Sequence, residues 1–316
     1  MAGPEAYRNK YGKNPHIKVL SFICVFLLPF LTSISAQEQN LHFHRISVED
    51  GLPQNSVNCI IQDRHGFMWF GTQDGLARYD GYDFKTYRNE PRNPNSLSNN
   101  YIWDIHEDSL GIFWISSFGG GLTRFDPATE TFTHFKRAEG NDQSLSNNNT
   151  FKSLRVGNDV WVCTNDGVSR LNTKTGQVKR YANKPGKGEG HAGNYTGSMA
   201  YEKRGILWVG SDEGLIRFNL QKDTYEIFPE TPFGKSISLK AIRDLRMYGG
   251  NLLISATTHF LNLDYESGDC KVLLKSSDLS TSERVGLIRN YPANDGGFWI
   301  GTGNGLVFLD METGEH

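Results

Sequence analysis

From Ser56 onward the chain alternates short apolar runs with turns rich in Gly, Asn and Asp. "HGFMWFGTQDGLARYDG" (65–81) shows the unit: an apolar run, a Gly-bearing turn, then a second run alternating apolar and polar. A period of two places successive side chains on opposite faces, the mark of a β-strand. The unit recurs as "GIFWISSFGGGLTRFDP" at Gly111, "NDVWVCTNDGVSRLNTKTG" at Asn158 and "RGILWVGSDEGLIRFNLQK" at Arg204. A worn copy, "GGNLLISATTHFLNLDYESG", begins at Gly249, and a clean one, "GGFWIGTGNGLVFLDMETG", at Gly296.

Trp69, Trp114, Trp161 and Trp208 are spaced by 45, 47 and 47 residues; Leu253 takes the position 45 further on, and Trp299 follows 46 later. A period of 40 to 50 residues with strand patterning predicts an all-β fold, a β-propeller of four-stranded blades with six repeats visible. Each repeat divides into four strands. In the first they are "SVNCIIQD" (56–63), "FMWFGT" (67–72), "GLARYD" (75–80) and "DFKTYR" (83–88). Gly75, Gly121, Gly167, Gly214 and Gly305 occupy the hairpin turn between the second and third strands, where a positive φ is expected. His259 fills that slot in the fifth repeat, so its turn must differ or be strained.

Neighbouring blades cover both faces of a propeller blade, so Trp69, Trp114, Trp161, Trp208 and Trp299 are read as structural wedges. Arg78, Arg124, Arg170 and Arg217 share one position on the third strand and are expected to stack on the Trp or pair with carboxylates between blades. Asp63 and Asp108 end the first strands and are expected to cap turn N–H groups. A leading strand, Phe43 to Ser47, could complete the last blade and close six blades by a clasp. The other reading is a chain that stops short of a seventh blade, because the last repeat ends where its fourth strand should begin.

The first 36 residues differ. Arg8, Lys10, Lys13 and Lys18 precede "VLSFICVFLLPFL" (19–31), which carries no charge and leads through small residues to Ala36. This reads as a secretory signal (1–36) with the propeller over 37–316; the apolar core falls short of the roughly 20 residues that span a bilayer, although an uncleaved anchor is the alternative. Cys59, Cys163 and Cys270 remain after the leader and show no metal spacing; they read as buried thiols, with one disulfide possible in an oxidising compartment. A net charge of −2 argues against nucleic acid as a partner. No nucleophile, metal or phosphate-loop motif is present, so neither catalysis nor a cofactor is expected.

"ISVEDGLPQNSVNCIIQDRHGFMWFGTQDGLARYDGYDF" (46–84), with the linkers "NPNSLSNNYIWDIHED" (93–108) and "NDQSLSNNNT" (141–150), resembles the periplasmic sensor region of Bacteroidetes hybrid two-component systems. The resemblance runs from about Leu41 to His316. It implies an exported propeller that senses glycan-derived oligosaccharides and relays the signal to kinase, receiver and DNA-binding domains that this chain lacks, with a homodimer as a further partner.

The expected ligand face is the channel mouth, where linkers and hairpin turns meet. It brings Asn99, Asn100, Tyr101 and Trp103 together with Asn147, Asn148 and Asn149, then His191, Asn194 and Tyr195. Amides bond sugar hydroxyls and rings stack on pyranose faces, so Asn100, Tyr101, Trp103, Asn149 and Tyr195 are the candidate binding residues. Trp103 leads them because it lies outside the structural Trp series. The competing account is that Asn-rich linkers are turn chemistry. Two other functions compete: a propeller enzyme acting on carbohydrate, such as a lyase, and a scaffold that only holds partners.

Overall fold

A computed structural model describes residues 45–181, 196–212, 214–227, 241–279, 286–293 and 296–316. The leader and the first two residues of the leading strand lie outside the described residues. Residues 46–316 form one compact unit. It is an all-β, six-bladed propeller: five four-stranded antiparallel sheets and a sixth with three strands among the described residues. Among the described residues, helix is confined to a 3-10 turn at Val48–Asp50 and a single turn at Ser276–Leu279.

Each sheet is a meander, strands a to d in sequence order. Blade 1 runs Val57–Gln62, Met68–Thr72, Gly75–Tyr79 and Phe84–Tyr87. Blade 2 runs Ile102–Glu107, Phe113–Ser117, Gly121–Asp126 and Thr131–Phe135. The a strands of blades 3 to 6 are Thr150–Val156, Thr196–Glu202, Ile242–Tyr248 and Leu287–Pro292. Consecutive a strands are neighbours in space, so they form the inner lining. Every a strand carries an irregularity near its start, between Val57 and Cys59, Ile102 and Asp104, Ile242 and Asp244, and so on round the ring. A bulge of this kind re-aims the following side chains.

The five expected turn glycines all have φ between 71° and 139°. The fifth blade departs as expected: His259 has no positive φ, and the pairing closes Ser255 on Phe260, leaving a longer turn.

Trp69, Trp114, Trp161 and Trp208 are almost fully buried, as is Leu253 in the fifth blade. Each sits between blades. Trp69 and Leu76 of blade 1, for example, pack with Ile105, Phe113, Ile115 and Phe125 of blade 2. Trp299 is only half-buried. Its ring meets Phe308 of its own blade edge-on, with centroids 5.0 Å apart.

The arginine series stacks as expected in three places. Arg78, Arg170 and Arg217 lie 6.0, 5.7 and 5.8 Å from the rings of Trp69, Trp161 and Trp208. Arg170 also reaches across to Asp223 of blade 4 at 2.9 Å. Asp63 and Asp108 do cap turns, accepting N–H bonds from His65 and Phe67, and from Leu110 and Ile112. They do more: their second oxygens accept the indole N–H of Trp69 at 2.7 Å and Trp114 at 2.9 Å. Arg155 of blade 3, six residues before Trp161, pairs with Asp108 at 2.6 Å. The acid therefore joins two blades. Burial alone would raise the Asp108 pKa, but Arg155, the Trp114 N–H and two backbone N–H groups hold it below the usual carboxylate range.

The leading strand is corrected in its described part. Arg45–Ser47 is not extended pairing. The Ser47 hydroxyl accepts from Glu49 N while Asp50 accepts from Ser47 N, a capping box that turns the chain into the 3-10 segment instead. All three cysteines are free thiols. Burial raises Cys270 to about 11.

Candidate functional site

The two Asn-rich linkers repeat atom for atom. Asn89 N donates to Asn100 Oδ1, and Arg137 N to Asn148 Oδ1. Glu90 N donates to Ser96 Oγ, and Ala138 N to Ser144 Oγ. Asn99 Oδ1 accepts from Tyr101 N, and Asn147 Oδ1 from Asn149 N. Linker carbonyls then meet the hairpin turn of the preceding blade: Gly75 N donates to Asn100 O, and Gly121 N to Asn148 O, both at 2.8 Å. This fastening places linkers and b–c turns on one face, as expected.

It also spends the amides. Asn100 Nδ2 donates to Asp74, and Asn149 Oδ1 accepts from Gly119 N. Asn99, Asn100, Asn147, Asn148 and Asn149 thus serve the turns, which is the competing account stated above. Tyr195, with His191 and Asn194, lies outside the described residues.

The aromatic residues behave differently. Tyr101 and Trp103 stack with centroids 5.8 Å apart and 14° between planes. Phe118 joins at 5.7 Å from Tyr101, and Phe151 backs Trp103 edge-on at 5.4 Å. Phe151 is buried, Tyr101 and Trp103 are half-buried, and Phe118 is 48% exposed. The Tyr101 hydroxyl accepts from Gln73 Nε2 at 3.3 Å. The result is an open aromatic ledge on the linker face, held from below by Phe151. Phe118 was not foreseen. Its only sequence signal is a large apolar residue inserted before "GGG" in a turn where other repeats carry polar residues.

One strand position below Trp103 and Phe151 lie Asp104 and Lys152, which line a cavity of about 730 Å³. Its other walls come from Val57, Asn58 and Cys59 on blade 1, Asp244 and Arg246 on blade 5, and Arg289, Asn290 and Tyr291 on blade 6. Burial is the main reason that the thiol of Cys59 titrates far above its ordinary value, so it is protonated and unreactive. Burial is the main cause that lowers the pKa of His106, on the same strand as Asp104, below its ordinary value. No group of three His, Cys, Asp or Glu able to hold a metal exists among the described residues.

A ring of antiparallel meanders with its inner strands around a cavity defines the class: a β-propeller. Residues 51–74 and 96–119 match the family Two component regulator propeller. Over 75 residues it is 47% identical to Histidine kinase P4 of Formosa agariphila, a match that covers 23% of this chain and 6% of the kinase. Its fold is similar to the extracellular domains of two hybrid two-component systems of B. thetaiotaomicron. For one, the TM-score is 0.70 at 24% identity over 85% of this chain and 35% of the other. For the second it is 0.67 at 18%, over 87% and 38%. The chain therefore spans a small part of the kinase and about a third of either extracellular domain.

Proposed function

We propose that this chain is the exported, ligand-recognising propeller of a hybrid two-component regulator. In this reading it operates in the periplasm, binds glycan-derived oligosaccharides, and passes the signal to a kinase through domain contacts, with a homodimer as the relaying assembly. The observation that carries the reading is the open ledge of Tyr101, Trp103 and Phe118 on the linker face. The rings of Trp69, Trp114, Trp161 and Trp208 are consumed by inter-blade packing; here three rings stand at a mouth with a face left to solvent. Stacked aromatic surface of this kind accepts the apolar face of a pyranose and tolerates its equatorial hydroxyls. The repeat family and the kinase relative supply the signalling context.

The test is a thermal-shift screen of the chain against oligosaccharides of varied linkage, followed by analysis of each mixture for cleavage. Ligand at about 100 times its Kd adds roughly 2.7 kcal/mol, which moves the midpoint by several degrees. A shift with intact sugar, lost in Trp103→Ala, is expected. New products would mean an enzyme, and no shift with a cooperative melt would mean a scaffold.

A further inference from the structure

The cavity beneath the ledge carries charge that the fold does not use. Lys152, Arg246 and Arg289 line it against only Asp104 and Asp244. The acids are already engaged. Asp104 lies 3.6 Å from Lys152. Asp244 accepts from the side-chain amide of Asn290 at 3.1 Å and from its backbone N–H at 3.3 Å. Asn290 in turn uses its oxygens for Arg246: its Oδ1 accepts from Nε and its backbone carbonyl from Nη2, both at 3.2 Å. Arg246 is thus aimed by neutral acceptors, with its guanidinium 5.7 Å from the ring of Tyr291. Neither Arg246 nor Arg289 has a carboxylate partner among the described residues. Arg243 stands exposed on the same strand as Arg246. Lys152, Arg246 and Arg289 against Asp104 and Asp244 leave the lining with a positive excess in a chain whose net charge is −2.

Holding an arginine by neutral acceptors leaves its charge available. A half-buried guanidinium with free N–H groups is matched by a carboxylate or sulfate, whose oxygens accept in pairs. The cavity volume is within the range of small-molecule sites, and Trp103 and Phe151 directly precede two of its lining residues in sequence. We propose that the ligand is an acidic saccharide, one bearing carboxylate or sulfate groups, with a sugar ring on the Tyr101–Trp103 ledge and its anionic substituent directed to Arg289 and Arg246. This rests on the sugar-sensing reading above and narrows it to a charge class.

The experiment is calorimetric titration of the chain with four probes: trigalacturonate, its methyl ester, a sulfated galactotriose and neutral galactotriose. At least one acidic probe is expected to bind about tenfold or more tightly than its neutral counterpart, since a charge-assisted hydrogen bond contributes about 1.5–3 kcal/mol. Trigalacturonate and the sulfated sugar separate the two sources of negative charge. Arg289→Gln is expected to erase the preference while leaving the melting temperature of the free protein unchanged, because Arg289 makes no ion pair among the described residues. Equal binding of acidic and neutral probes, or a preference that survives Arg289→Gln, overturns the acidic-ligand inference and leaves the sugar reading standing. Absence of binding by all four, together with no response in the broader screen, overturns both.

Discussion

Blade 2 and blade 6 are written almost alike and live differently. In blade 2, Trp114 and Leu122 are closed over by Val160, Val162 and Leu171 of blade 3. In blade 6 the equivalent Leu306 is 55% exposed, whereas Leu76, Leu122, Val168, Leu215 and Phe260 at that position are wholly buried. Blade 1 mirrors this on its opposite face: Ile60 is 54% exposed where Ile105, Met199 and Leu245 are buried. The same residue type at the same register is core or surface according to whether a blade stands beside it. A propeller repeat does not carry its own hydrophobic core; it carries half of two.

The sharpest way to break this comparison is at the Trp. Trp114→Ala should cost about 3–5 kcal/mol, as expected for deleting a large buried aromatic. Trp299→Ala should cost less than half as much, because its ring keeps solvent contact. Denaturant titration of both variants checks this, and equal losses would refute the half-core account.

A smaller effect is expected at the acid that ties Trp114 to blade 3. Asp108→Asn keeps an acceptor for the indole but removes the charge facing Arg155, at a cost of about 1–3 kcal/mol near neutral pH. Because the folded pKa of Asp108 is depressed, its contribution is fully present above the unfolded value of about 4 and disappears as pH falls through the folded value. The gap between wild type and variant should therefore close in strong acid. A gap independent of pH would show that the pair contributes nothing as an ion pair.

The smallest expected effect separates two kinds of c–d turn. Blades 3 and 5 place Gly176 and Gly268 in the left-handed region; blades 2 and 4 place Glu130 and Asp223 there, each at φ 53°. Each of these acids reaches back to the preceding blade. Glu130 accepts from Lys85 and from the Tyr87 hydroxyl, and Asp223 from Lys179 and the Tyr181 hydroxyl. A non-glycine left-handed residue costs about 1–3 kcal/mol, which the latch offsets. Glu130→Gly should relieve the strain while losing the latch, for a net change within about 1 kcal/mol; Glu130→Ala loses the latch and keeps the strain, so it should melt lower. If Glu130→Ala matched Glu130→Gly, the left-handed backbone at Glu130 would be carrying no strain.

The blade count, strand boundaries and turn glycines were legible because each depends on a local property repeated along the chain: alternation, a ring of fixed spacing, a φ only Gly adopts freely. The capping role of Asp63 and Asp108 was legible for the same reason. Their hold on the indole nitrogen was not, although an acid six residues before Trp is visible once that contact is known. Among the candidate binding residues, Trp103 and Tyr101 stood out by composition and do stand on the open face. Asn100 and Asn149 also hold turns: Asn100 Nδ2 donates to Asp74, and Asn149 Oδ1 accepts from Gly119 N.

What the sequence by itself determined is the repeat and the shape of each blade, since hairpins need only contacts within about 45 residues. What only the tertiary structure decided is which side chains from different blades meet. Tyr101 lies just before the first strand of blade 2 and Phe118 in the turn after its second, and Phe151 comes from blade 3. Arg246 and Arg289 come from blades 5 and 6, and they share a cavity with Asn58 of blade 1. No local rule relates those positions. They converge because radial sheets set about one axis bring inner strands far apart in sequence together, and charge that is unremarkable on each strand becomes a field only there.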